Sequence, residues 1–309
     1  MNTSPFGSIA VIADPRVGEG QAGSQVAEAR RAIEARGLEH EVFMADGAGL
    51  ATRLASEAID GGFRYLAAVG DDRTVQDVVN GMFRDGRPIV EEAVLALLPT
   101  ADCDLARTFG LPADLEGASH HLLGEETYAL DVMKVAATAP GGERAIRYGH
   151  NLGEVGFFAA ATARTARLPV GWRGARRFIG FWSAYLTSRT RAVRLGVDAK
   201  THEIRAWSVV VGNGQFTDGG LRLSPRSFPG DGVLDALAFV GPRSDAYRML
   251  PRLFRHGDHI PDPGIKEHRA RIKVSVETDR AMPVVVDGVV FGTTPVTFQV
   301  IPQPIRLKL

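Results

Sequence analysis

Apolar and polar positions along the first third of the chain follow two rhythms in turn. Ser8 to Ala13 (SIAVIA) is a short unbroken apolar run, the pattern of a buried strand, and it ends at Asp14-Pro15. The loop RVGEGQAGS follows, with Gly18, Gly20 and Gly23. A polar-faced helix is predicted from about Gln25 to Arg36, closed by Gly37. His40 to Met44 reads as a second strand, Leu50 to Asp60 as a helix stopped by Gly61-Gly62, and Arg64 to Val69 as a third strand. Beyond Gly70, Val75, Val78, Val79 and Met82 recur at helical spacing, and Thr74 is the predicted N-cap. Ala93 to Leu98 is a fourth strand, followed by Pro99, the loop TADCD and a helix through Arg107 that stops at Gly110-Leu111-Pro112. Repeated strand–helix units predict a doubly wound parallel sheet, whose ligands bind at the carboxyl ends of the strands. The loops 14–20 and 70–74 both lie at that edge, where backbone N–H groups and helix N-termini can face an anion.

The texture changes near 115–128. Tyr128 to Val135 alternates with a β period, Gly141-Gly142 marks a turn, and Ala145 to Leu152 alternates again. From Ala206 onward come further β-type runs: AWSVVVGNG, VLDALAFVG, RIKVSVET, PVVVDG, VTFQVI and IRLKL. The fold class is therefore α/β, an N-terminal doubly wound parallel-sheet domain over residues 1–122 followed by an antiparallel β-rich domain over 123–295.

Composition narrows the function classes. A chain of 309 residues with 45% hydrophobic content can bury a large core. Lysine plus arginine and aspartate plus glutamate both number 36, so no global field favours nucleic acid, and no nucleic-acid partner is expected. The lone Cys103 excludes an intramolecular disulfide framework and fits a reducing cytoplasm. No apolar run approaches the roughly 20 residues that span a bilayer, and the N-terminus lacks the basic region of a signal peptide. The expected location is cytoplasmic, with any membrane contact peripheral, at the inner face.

One segment qualifies that neutrality. Between Glu154 and Asp198 there is no acidic residue, while Arg164, Arg167, Arg173, Arg176, Arg177, Arg189, Arg191 and Arg194 alternate with Trp172, Phe178, Phe181, Trp182 and Tyr185. Residues 164–194 suit an anionic membrane surface or a lipid mouth. They equally suit a helix whose aromatics pack into the core while its arginines are solvated, and composition leaves both open. His120-His121 is expected in a solvated turn, and His256 and His259 near Asp258 and Asp262 in a polar linker rather than a metal site. Asp131 and Lys134 point to opposite faces of a strand. Ser224, Ser227 and Thr217 lack the His–Asp arrangement of a hydrolase.

Three stretches resemble the diacylglycerol kinase catalytic family of bacterial lipid kinases, which is itself similar to the sphingosine kinases. NGQFTDGGLRLSPRSFPGDGVLD (Asn213 to Asp235) resembles the family's NGxxxGGGxxxxPxAxxDDGxLD pattern. PVVVDGVVFGTTPVTFQVIPQPIRL (Pro283 to Leu307) resembles its terminal PxxxDGExxGxxP stretch, and GDDRTVQDVVNG (Gly70 to Gly81) its GGDGTxNEVVNG. The resemblance covers nearly the whole chain. It implies a nucleotide-binding domain of the lipid-kinase and NAD-kinase kind, a β-sandwich-like second domain, and a return of residues 296–309 to the first. The implied reaction is transfer of the ATP γ-phosphoryl group to the hydroxyl of diacylglycerol or a related lipid alcohol, with Mg²⁺ neutralising charge. The alternative is a catalytically silent relative that binds lipid. A homo-oligomer is left open.

By the same resemblance, Asp14, Gly18, Gly70, Asp71, Asp72, Arg73, Thr74, Thr100, Ala101 and Asp104 stand at nucleotide-binding positions. Asp231, with the carbonyls of Phe228 and Val233, stands at a structural Mg²⁺, and Asp287 is the aspartate of the DGE stretch. The chain departs from the pattern where chemistry matters. Asp71 and Arg73 replace glycines, Cys103 replaces an asparagine, Phe158 replaces an acid, and the DGE glutamate is Val289, which cannot take a proton. Loss of one general base costs about 10²–10⁴-fold in rate, so these changes imply impaired or redirected chemistry, with Asp287 or water receiving the hydroxyl proton.

Overall fold

The computed structural model describes residues 4–15, 22–91, 93–99, 103–112, 114–169, 173–217, 219–255 and 257–309. It divides into two compact units, residues 1–131 with 302–309, and residues 132–301. The divisions fall inside two long strands and not in loops, so no Gly- or Pro-rich linker marks them.

The first unit is built on parallel strands β1 (Ile9–Ala13), β2 (His40–Met44), β3 (Tyr65–Gly70) and β4 (Val94–Pro99), alternating with helices α1 (Ala22–Ala35), α2 (Leu50–Asp60) and α3 (Asp72–Gly81). The strand order is β2-β1-β3-β4, and the last residues of the chain add a fifth parallel strand through Arg306 opposite Val94 and Leu307 opposite Leu95. The unbroken apolar runs are explained by burial on both faces. Val11, Ala67 and Ala96 pack against Ala29 and Ile33 of α1 and against the short helix α5 (Leu115–Ala118), which follows α4 (Asp104–Thr108). Ala10, Leu66, Leu95 and Leu97 point the opposite way and are equally buried.

Two local expectations are corrected here. The N-cap of α3 is Asp71, not Thr74: Asp71 is extended and its carboxylate accepts the Thr74 N–H at 3.1 Å, the bond that satisfies a first-turn donor. His121 is not in a solvated turn. It lies within a 3₁₀ segment (Ser119–Leu122), and both its ring nitrogens are buried. Burial pushes the imidazole down to about 4. Asp131 is fully buried and accepts the Gln303 N–H at 2.8 Å, which ties the returning C-terminal segment to this unit. Lys308, also buried, donates to the carbonyls of Glu126 and Leu309.

The second unit is antiparallel. Strand β5 (Thr127–Thr138) pairs with β6 (Arg144–Gly149). One layer contains β7 (Leu152–Gly156), β10 (Ser208–Gly212), β11 (Leu234–Phe239), β12 (Ile265–Ala270) and β14 (Pro283–Val286), in the order β12-β11-β10-β7-β14. A second contains β8 (Arg191–Val197), β9 (Lys200–Ala206) and β13 (Lys273–Thr278), in the order β9-β8-β13, and meets the long β15 (Val289–Lys308). Val155, Val209, Val211 and Val284 from one layer interdigitate with Val193, Leu195, Val274 and Phe298 from the other, the buried filling of a sandwich. The opposite face of the first layer carries Leu152, Val210, Trp207 and Phe239, covered by α6 (Phe157–Arg167) and α7 (Arg173–Thr187).

No helix among the described residues is long and apolar enough to cross a membrane.

Candidate functional site

Each unit carries its own cluster of the residues singled out by sequence. In the first, β3 ends at Gly70 and the chain turns at once into α3. A side chain at position 70 would put its Cβ 2.3 Å from Thr74 Oγ1, so only glycine lets the turn close this tightly. Asp71 Oδ1 accepts both the Thr74 N–H and the Thr74 hydroxyl, at 3.1 and 3.3 Å. Its pKa is raised, chiefly by burial, against the lowering pull of Thr74 and Arg73. Asp72 turns to the neighbouring helix: Oδ2 accepts the Asp104 N–H at 2.6 Å and Oδ1 the Leu105 N–H at 3.0 Å. Cys103, the residue before α4, offers no side-chain cap, and Asp72 supplies one from 32 positions upstream. Burial raises the Cys103 thiol well above its ordinary value, with Asp72 adding to the effect. Asp104 is buried and pairs with Arg107 at 3.3 Å.

This edge therefore has an unusual anion balance. The N-termini of α3 and α4 each present first-turn N–H groups, the donors that suit a phosphate. Both are engaged by carboxylates of the chain itself, Asp71 on α3 and Asp72 on α4. Arg73 is exposed, and Asp14 is buried at the end of β1. The expected nucleotide-binding positions Gly18, Thr100 and Ala101 lie outside the described residues.

In the second unit the stretch Val286-Asp287-Gly288-Val289 is a two-residue hairpin joining β14 to β15. Asp287 and Gly288 have φ of 46° and 73°, the doubly positive pattern of a type I′ turn. The Asp287 carboxylate, with no side-chain exposure, accepts backbone N–H groups from His150 (2.8 Å), Asn151 (3.0 Å) and Leu152 (2.7 Å). His150 Nδ1 stands 3.2 Å from it. Asn213 Nδ2 donates to the His150 carbonyl and Asn151 Nδ2 to the Phe216 carbonyl, so three segments far apart in sequence are laced into one cluster. Val289 begins β15 and is partly exposed. No local motif marks residues 150–152 in the sequence. The signal that could have found their partner is the Asp-Gly pair between two β runs, which marks a tight hairpin.

The Asp231 loop stands at the expected Mg²⁺ position. Asp231 Oδ1 accepts the Val233 N–H at 3.0 Å, and Oδ2 accepts Arg269 at 2.9 Å. The Phe228 carbonyl accepts the Gly230 N–H. The guanidinium 2.9 Å from Asp231 already supplies a counter-charge, and a divalent cation on the same carboxylate would face it as a like charge. No cluster of three or more His, Cys, Asp or Glu suited to a metal occurs among the described residues.

Helix α7 resolves the reading of 164–194 into two faces. Phe181 and Tyr185 pack against the buried aromatic cluster of Phe157, Phe158 and Trp207, whereas Phe178 and Leu186 are 64% and 76% exposed, with Trp182 between them on the same stripe. Arg243 stacks over Tyr185 at 5.0 Å, and Tyr247 stacks on Trp182.

A parallel α/β unit with a glycine turn at its carboxyl edge, followed by an antiparallel sandwich-like unit, is the architecture of the NAD-kinase-like and lipid-kinase fold class. Residues 8–135 match the family model of the diacylglycerol kinase catalytic domain, and residues 154–309 match that of the YegS C-terminal NAD kinase beta sandwich-like domain. The chain belongs to this diacylglycerol kinase-like family with a YegS-type C-terminal domain. A Pseudomonas fluorescens protein named "Probable lipid kinase YegS-like" is 27% identical over 296 residues, covering 91% of this chain and 90% of its own. A Pseudomonas aeruginosa protein of the same name is 28% identical over 301 residues, covering 94% and 91%. A solved diacylglycerol kinase structure from Bacillus anthracis superposes with a TM-score of 0.73 at 19% identity, covering 99% of this chain and 98% of that one, a likeness of fold. Membership of a kinase family implies a nucleotide phosphoryl donor, a divalent cation and, for lipid kinases, a lipid substrate.

Proposed function

We propose that this protein is an ATP-dependent lipid kinase that phosphorylates diacylglycerol or a related lipid alcohol. The observation that carries the reading is the Gly70–Thr74 turn, placed at the carboxyl edge of a parallel sheet where a nucleotide phosphate binds in this architecture. Bound ATP would supply the γ-phosphoryl group, with Mg²⁺ screening its charge. Asp72 acts as a positioning residue that holds α4 to the turn. Arg73, exposed at the first turn of α3, offers a guanidinium fork to phosphate oxygens. Asp287 sets the hairpin and the 150–152 turn, and its three amide donors leave it poorly placed to accept a proton. The hydroxyl proton accordingly leaves through water, at a cost in rate. The exposed stripe Phe178, Trp182 and Leu186, on a segment free of acidic residues, docks the protein peripherally on the anionic inner face of the cytoplasmic membrane.

The test is ATP binding by calorimetry with Mg²⁺ present, then transfer of labelled phosphate to diacylglycerol in mixed micelles. Micromolar binding with labelled lipid supports the kinase. One observation favours a second reading, a lipid-binding relative with weak or absent catalysis: Asp71 and Asp72 occupy the helix N-termini that a phosphate would use. No heat up to millimolar ATP, with retained binding of diacylglycerol vesicles, would select that reading.

A further inference from the structure

The loop from Ser224 to Asp235 holds two carboxylates close together, Asp231 and Asp235, and the second is 2% exposed. Two such anions in a partly dry site need a counter-charge. We infer that Arg269 provides it permanently, standing where the family resemblance places a metal cation, so that the second unit holds this loop without a divalent ion.

The geometry is specific. Arg269 on β12 lies directly opposite Asp235 on β11 in the antiparallel register. Its Nε reaches Asp235 Oδ1 at 3.1 Å, and the fork's terminal nitrogen reaches Asp231 Oδ2 at 2.9 Å. The remaining oxygens are also served. Asp235 Oδ2 accepts the Ser227 hydroxyl at 2.8 Å, Ser227 pairs with Ser224 at 2.6 Å, and Asp231 Oδ1 accepts the Val233 N–H. All four carboxylate oxygens thus face N–H or O–H donors. A planar guanidinium can bridge two carboxylates with separate N–H groups, which an ammonium cannot match in geometry. A Mg²⁺ ion at about 2.1 Å from either carboxylate would set a second cation beside the guanidinium that already bridges them. The inference is independent of the phosphoryl-transfer reading, since it concerns how the loop is held.

The experiment is thermal denaturation of the full chain without nucleotide, in EDTA and in millimolar MgCl₂, for the parent, Arg269→Gln, Arg269→Lys and Asp231→Asn. The parent is expected to melt at the same temperature in both buffers. Arg269→Gln should lower the melting temperature by roughly 2–4 °C, with Arg269→Lys between the two. A parent that loses stability in EDTA and regains it with Mg²⁺, with the response absent in Asp231→Asn, would overturn the inference. So would an Arg269→Gln protein that melts with the parent. If Arg269→Gln does not fold, the buffer comparison on the parent decides alone.

Discussion

The two clusters solve one problem in opposite ways. In each, an aspartate receives backbone N–H groups from a distant segment: Asp72 those of residues 104 and 105, Asp287 those of residues 150, 151 and 152. Asp287 is sealed, with its side chain wholly buried and a third donor added, while Asp72 and its neighbour Arg73 keep contact with solvent at the sheet edge. A sealed carboxylate with all its acceptor capacity committed is a structural anchor. A half-open one can both hold a loop and answer to a ligand. The second unit places its own open surface elsewhere, on the apolar stripe of α7.

The comparison breaks most directly at Asp287. Asp287→Ala should strand three buried donors and cost about 3–5 kcal/mol, read as a lower urea midpoint. A midpoint within error of the parent would show that the anchor is not one. In the first unit Asp72→Ala should cost only about 1–2 kcal/mol, because water can reach the freed amides of α4, and it should weaken ATP binding more than it weakens folding. Equal losses from the two substitutions would erase the distinction between sealed and half-open.

Acid singles out the buried imidazole of the first unit. The pKa of His121 is lowered from 6.5 to about 4 by burial, so on acidification the unfolded chain takes up its proton first. Its contribution is full above pH 6.5 and is lost as the pH falls toward about 4, an effect of up to about 3 kcal/mol. His121→Phe should flatten the stability–pH curve across that window. A slope that survives the substitution would show that His121 is not its source.

The next effect is smaller. Replacing Asp71 by glycine retains most capping stability, costing a few tenths of a kcal/mol, and removes the carboxylate from the start of α3. ATP affinity should rise on the order of tenfold, through relief of like-charge repulsion. Unchanged or weaker binding would show that Asp71 does not compete with phosphate. Smallest of all, Phe178→Ser with Leu186→Ser should leave the melting temperature within about 1 °C of the parent, since both side chains already face solvent. The same pair should reduce sedimentation with phosphatidylglycerol vesicles at low salt. Full retention on vesicles would remove α7 as the docking face.

Much of the first unit was legible in advance. The apolar runs of β1, β3 and β4 and the 3.6-residue spacing of α3 are local signals, set by burial on both faces of a strand and on one face of a helix. The N-cap of α3 is not legible in the sequence, because both Asp71 and Thr74 have capping side chains and only the backbone conformation at residue 71 selects between them. The boundary between units was harder, since β5 and β15 each run through it without a composition change.

By itself, the sequence determined the fold class, the glycine turn at residue 70 and the family, because periodicity, turn chemistry and ordered motifs are properties of neighbouring residues. Only the tertiary structure decided the partners of the charged groups: Asp72 with the start of α4, Asp287 with the 150–152 turn, and Asp231 with Arg269. Those pairings join positions 32 to 137 residues apart. They depend on strand register and helix placement, which no local pattern of residues encodes.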